Sequence, residues 1–106
     1  MTETVVLTTT DTLDLARIIA TALVEEHLAA CVNIVPTIRS IYRWQGKVCD
    51  ELEQLLVIKS TAERFDALRA RIRALHTYQV PEVVMLEVKG GDADYLSWLR
   101  GEVGMS

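Results

Sequence analysis

The chain is poor in the residues that announce chemistry. It has only two cysteines, Cys31 and Cys49, and they form no CxxC, so neither a zinc ribbon nor a redox dithiol is suggested. It has only two histidines, His27 and His76, and no GxGxxG, Walker loop, HExxH or GxSxG. No Ser-His-Asp or Cys-His constellation can be assembled from it. No apolar run approaches the roughly 18 residues of a membrane span. The first residues, Met1-Thr2-Glu3-Thr4, carry no basic region, so no signal peptide is expected and the default compartment is the cytosol. A net charge of −4 argues against a nucleic-acid partner, which needs a surplus of Lys and Arg. Arg64, Arg69, Arg71 and Arg73 do lie together, but Glu63 and Asp66 interrupt them, and the run reads as a solvated helix face.

What is present is half apolar, over 106 residues, which is enough for the core of one domain spanning 1–106. Thr4 to Thr9 is β-branched and reads as a strand. Asp11 and Asp14 favour a helix start, and Leu15, Ile18, Ile19, Ala22 and Leu23 recur at helical spacing, predicting a helix over Thr12 to His27. Arg17, Thr21 and Glu25 form its outer face. Ala30 to Arg43 is β-rich, with Pro36 predicting a bulge, a bend or an edge. Trp44-Gln45-Gly46-Lys47 is a turn, and Val48 to Lys59 returns as a strand. Ser60-Thr61-Ala62-Glu63 has the pattern of a capping box before a helix with the buried stripe Phe65, Leu68, Ile72 and Leu75. Thr77 to Glu82 is a loop, Val83 to Val88 a last long strand, and Asp92 to Arg100 a short helix. The order β-α-β-β-α-β is the split βαβ, ferredoxin-like α+β arrangement: an antiparallel sheet with two helices on one face, plus a short C-terminal helix.

The central hairpin is about twice as long per arm as the outer strands. At roughly 3.3 Å per residue its tip should overhang the sheet by about 20 Å. A bare two-stranded ribbon is marginal in water. This one carries Ile38, Ile41, Tyr42, Trp44 and Val48, with Ile38, Tyr42 and Trp44 on one face. The arm either curls onto its own subunit or pairs with neighbouring copies in a closed cyclic assembly, the reading favoured here. A turn at Gln45-Gly46 sets Cys49 opposite Tyr42 and Cys31 opposite Ser60. The sulfurs are then about 30 Å apart and no intrachain disulfide is expected.

A few side chains could bear chemistry. Cys31, among small apolar neighbours, is a core thiol or a soft ligand for a thiophilic ion. His76 either satisfies the last carbonyls of its helix or faces a cleft with Tyr78, Gln79 and Glu82. His27 reads as a surface residue. Lys59 snorkels to solvent or supplies the positive end of an anion site near His76 and Glu82. An acylphosphatase-type enzyme would need an arginine in the loop after the first strand, and Thr8 to Thr12 holds none.

Several segments together resemble the CutA divalent-ion tolerance family over almost the whole chain. They are Ala22-Leu23-Val24-Glu25-Glu26, Leu28 to Ile34, Ile41 to Val48, Leu56-Val57-Ile58-Lys59, Leu75-His76, Tyr78, Val80-Pro81-Glu82 and Tyr95 to Leu99. The resemblance implies a non-enzymatic homotrimer built through the long hairpin, similar in architecture to PII signalling proteins. It implies a link to copper and other divalent cations, and an inter-subunit cleft holding Cys31, Tyr42, Trp44, Lys59, His76, Tyr78 and Glu82. No resident cofactor is implied; the ligand would be Cu(II) or another divalent cation, with His76 and Cys31 as metal ligands, or a small metabolite as in PII. The family often has Pro where Thr77 stands and Glu where Gln79 stands. Some members have a His-His pair where this chain has Leu75-His76, and a Cys where it has Thr8. A site on that pattern lacks two ligands here and should lean toward weaker, oxygen-rich coordination.

Overall fold

The structure, a computed structural model, describes residues 2–104. Its elements are β1 (Glu3–Thr10), α1 (Leu13–Glu25), β2 (Cys31–Trp44), β3 (Lys47–Thr61), a 3-10 turn (Ala62–Arg64), α2 (Phe65–Leu75), β4 (Val84–Glu87) and α3 (Ala93–Glu102). The strands form one antiparallel sheet in the order β2-β3-β1-β4, the ferredoxin-like arrangement the sequence predicts. Among the described residues no helix is long and apolar enough to cross a membrane.

The helices form where the period is 3.6 and the ends are capped. Thr12 caps α1, its Oγ1 accepting from the Leu15 N–H at 3.1 Å. The helix ends where His27 takes φ +58°, with the His27 N–H donating to the Val24 carbonyl and the Leu28 N–H to the Leu23 carbonyl. That is a Schellman closure with a histidine in the left-handed position. His27 is more than a surface residue: its Nδ1 lies 3.0 Å from the Glu102 carbonyl, and its own carbonyl accepts from Gly104. It thereby anchors the end of α3. Leu99 of that helix and Val103 just beyond it bury against Ala30, and Arg100 pairs with Glu3 at 2.7 Å.

The core lies between sheet and helices. Val6, Leu56 and Ile58 of the sheet meet Ala16, Ile19 and Leu23 of α1 and Leu68 and Ile72 of α2. Each large apolar side chain buried there contributes about 1.5–3 kcal/mol relative to exposure. Ile18, expected in this stripe, is exposed instead.

Two other local expectations are corrected. No capping box forms, because β3 runs on through Thr61 to pair with Glu3, which turns Ser60 into the sheet ladder. The Ser60 hydroxyl donates to the Leu28 carbonyl at 2.6 Å instead of capping a helix. The last strand spans only Val84–Glu87, an exposed edge paired to β1.

The hairpin matches its predicted length. β1 pairs with β3 only as far as Gln54, so Ile38–Trp44 and Lys47–Glu53 continue as a two-stranded ribbon. The turn has φ +50° at Gln45 and +79° at Gly46, the I′ conformation whose twist suits a hairpin. The ribbon draws the molecule out to 44 Å against 26 and 22 Å in its other dimensions. Ile41, Val48 and Leu52 are largely exposed along it.

A bulge lies at the foot of the ribbon, where Pro36 predicts an irregularity. Val35 pairs with Leu55 but Ile38 with Glu53, so two residues of β2 face one of β3. Thr37 adopts φ +60° there and its N–H donates to the Gln54 side-chain oxygen at 2.9 Å. Tyr42 lies opposite Cys49 as expected, but beyond the bulge Cys31 faces Lys59 rather than Ser60. Both cysteines are free thiols.

Candidate functional site

A groove of about 750 Å³ lies between the ribbon and the Thr77–Glu82 loop. β2 contributes Ser40, Tyr42 and Trp44, β3 contributes Glu53, and the loop contributes Tyr78 and Glu82. The bulge positions the ribbon side of this wall by fixing which residues of β2 stand across from Glu53.

Pro81, which is buried, and a set of hydrogen bonds hold the loop in place. The Tyr78 N–H donates to His76 Nδ1 at 3.0 Å, and His76 Nε2 lies 2.7 Å from the Thr9 carbonyl. An imidazole that accepts at Nδ1 must carry its proton at Nε2, which therefore donates to Thr9. His76 is thus neutral in this arrangement, with neither nitrogen free, and it braces the loop against the end of β1. Its ring also stacks against Tyr78, centroids 4.6 Å apart. The Tyr78 hydroxyl reaches across to donate to Glu53 Oε2 at 2.8 Å. Burial pushes the Tyr78 phenol above its usual range, and the bond to Glu53 adds to the shift by requiring the protonated form.

The groove is electronegative. Glu53 is 7% exposed yet meets no Lys or Arg in an ion pair among the described residues. Glu82 is exposed as a residue, but desolvation of its carboxyl and then the charge of Glu53 raise its pKa. The groove lining contains no Lys, Arg or His. Such a site attracts cations and repels anions.

The residues singled out from sequence divide into two places. Tyr42, Trp44, Tyr78 and Glu82 converge on the groove, with His76 behind its loop. Cys31 and Lys59 face each other at the far end of the sheet, opposite Val5, and Lys59 Nζ donates to Asn33 Oδ1. Thr9, which His76 contacts, is four residues further along β1, about 13 Å by strand rise, with two strand spacings of about 4.8 Å between β1 and β2. Within one subunit, therefore, Cys31 and His76 are too far apart to share an ion, whose ligands lie about 2–2.3 Å from it, and the expected pair is one between subunits. Within one subunit Lys59 likewise lies away from His76 and Glu82. Among the described residues no three His, Cys, Asp or Glu side chains converge as a ready metal cage. Glu53 was missed: in the run Asp50-Glu51-Leu52-Glu53 no local signal separates the one buried acid from its exposed neighbours.

Fold and groove together define a ferredoxin-like α+β protein with a ligand-sized, acidic cleft at the base of a protruding hairpin. The model of the CutA1 divalent ion tolerance protein family matches residues 4–102. The chain belongs to that family. It is 54% identical over 102 residues to the Divalent-cation tolerance protein CutA of Thermus thermophilus, covering 96% of this chain and 99% of that one. The solved structure of the Thermus thermophilus protein superposes with a TM-score of 0.94 over the same shares of the two chains. The CutA1 structure from Oryza sativa, 42% identical, gives 0.96 over 100% of this chain and 97% of that one. A structure from Archaeoglobus fulgidus described as periplasmic, 31% identical, gives 0.91 over 94% and 97%. The chain spans about half the length of the curated plant and animal relatives it matches, among them a rice protein named chloroplastic.

Proposed function

We propose that this chain is a non-enzymatic, cation-binding protein of the divalent-cation tolerance type, working as a homotrimer held together through its long hairpin. The observation that carries the cation reading is the groove itself. Two carboxylates, Glu53 and Glu82, converge with two phenols on a cavity whose lining has no cationic side chain. Carboxylate and phenol oxygens suit hard or borderline divalent ions better than Cu(I). Ligation by His76 or Cys31 would draw on more than one subunit, and His76 would first have to release one of its two hydrogen bonds. The exposed apolar ribbon and the exposed edge β4 with Val84, Met85 and Leu86 support the assembly, since both present unpaired strand edges. Two free thiols suit a reducing compartment such as the cytosol.

The test is native mass analysis of the purified protein together with calorimetric titration of Mn(II) and Cu(II). A trimer whose ion affinity falls in Glu53→Gln and Glu82→Gln supports the proposal. A stable monomer, or affinity unchanged in both variants, removes it.

A second reading is a PII-like carrier or sensor of a small metabolite. The groove volume favours it, since about 750 Å³ far exceeds what an ion requires and falls in the range of small-molecule sites. Thermal stabilisation by a metabolite with chelator present would support this reading.

A further inference from the structure

The two arms of the hairpin do not match in length. Cys31 pairs with Lys59 at one end and Trp44 with Lys47 at the other, yet β2 uses one residue more than β3 over that distance. The extra residue sits at Pro36-Thr37, opposite Gln54. Gln54 is also the last residue of β3 to pair with β1, through Thr10. The bulge therefore falls where β1 stops and the two-stranded ribbon begins. A bulge bends its strand and increases the local twist. Placed between a sheet held by the core and an arm that projects from it, this one sets the direction of the arm.

The bend is held at a cost. Thr37 is β-branched and stands at φ +60°, a region such residues rarely occupy. Its N–H donates to the side-chain oxygen of Gln54 at 2.9 Å, so the residue facing the bulge also ties it down. Pro36 fixes its own φ at about −65° on the other side. A loose joint would need neither the strain nor the tie.

We propose that Pro36, Thr37 and Gln54 form a rigid elbow that aims the ribbon, and that its angle makes the assembly close on itself as a trimer. This rests on the trimeric reading above, in which the arm carries the contact between copies. In a head-to-tail assembly each copy is turned from the last by a fixed rotation. A ring forms only if that rotation closes, and otherwise the chain of copies stays open. The direction of the arm sets the rotation. Deleting Thr37 leaves Val35 opposite Leu55 and Ile38 opposite Glu53, each on its present face, and removes only the bulge.

Sedimentation and native mass analysis of the intact protein test this. The wild type and Thr37→Gly should be discrete trimers, since glycine suits the left-handed backbone. The Thr37 deletion should give monomers or open mixtures of sizes. Thr37→Pro should do the same, because proline cannot take φ +60° and has no N–H to give Gln54. Gln54→Ala, outside the core, should dissociate at a concentration about tenfold higher than the wild type does. Should the deletion fail to fold, Gln54→Ala decides the matter. Trimers of the deletion and of Thr37→Pro that resist dilution as the wild type does overturn the elbow and leave the trimer standing. An unshifted Gln54→Ala does the same. Loss of the trimer in Thr37→Gly overturns the elbow too, since the backbone angle would then not be what matters. A monomeric wild type overturns the assembly and the elbow with it.

Discussion

Tyr78 donates its hydroxyl to Glu53 across 2.8 Å, joining the loop after α2 to the foot of the hairpin. The bond supplies the one donor that the Glu53 carboxylate has among the described residues. Tyr78→Phe should therefore destabilise the protein by about 1–3 kcal/mol, the cost of leaving a buried acceptor unmade. Urea denaturation measures this. A cycle with Glu53→Gln should give a coupling above about 0.5 kcal/mol, and additivity would show that the two side chains act independently.

His76 acts here as a brace. With Nδ1 accepting from Tyr78 and Nε2 donating to Thr9, removing the ring frees the loop and orphans the Thr9 carbonyl. His76→Ala should lower stability by about 1–2 kcal/mol and broaden the amide signals of 77–82, with Cu(II) affinity nearly unchanged. An affinity drop of about tenfold with an unchanged melting temperature would instead mark His76 as a ligand.

Thr8 is fully buried and its hydroxyl finds no partner among the described residues. Replacing it with the similarly shaped valine removes an uncompensated polar group from the core. Thr8→Val should raise stability by about 1 kcal/mol in urea melts, and a loss would reveal a hydrogen bond or bound water at that hydroxyl.

Glu82 gives the protein a pH signature. Its folded pKa is raised above the ordinary 4.5, first by desolvation and then by Glu53. The folded state therefore holds the proton more tightly than the unfolded chain. That stabilisation is complete below the unfolded value and is lost as pH rises through the folded one. Glu82→Gln cannot lose it, so the melting temperature of this variant minus that of the wild type should grow between about pH 4 and pH 7. A difference that is constant with pH would show that the carboxyl is fully solvated in the fold.

Much of this was legible in the chain because it depends on local periodicity. The β-branched run Thr4 to Thr9, the 3.6-residue recurrence in both main helices and the Gln45-Gly46 turn each fix an element or a register from neighbouring residues. The excess length of the two middle strands sufficed to predict an overhanging ribbon. Tertiary structure alone decided how distant positions meet. One extra residue at Pro36-Thr37 moved the partner of Cys31 from Ser60 to Lys59. Continuation of β3 through Thr61 turned an expected helix cap into a strand residue. The path of the loop after α2 brought Tyr78 to Glu53 and left Lys59 and Cys31 at the other end of the sheet. The alternation of two and the recurrence of 3.6 describe a segment against itself. A site made from three segments depends on bulges, strand ends and loop paths, and no single segment encodes these.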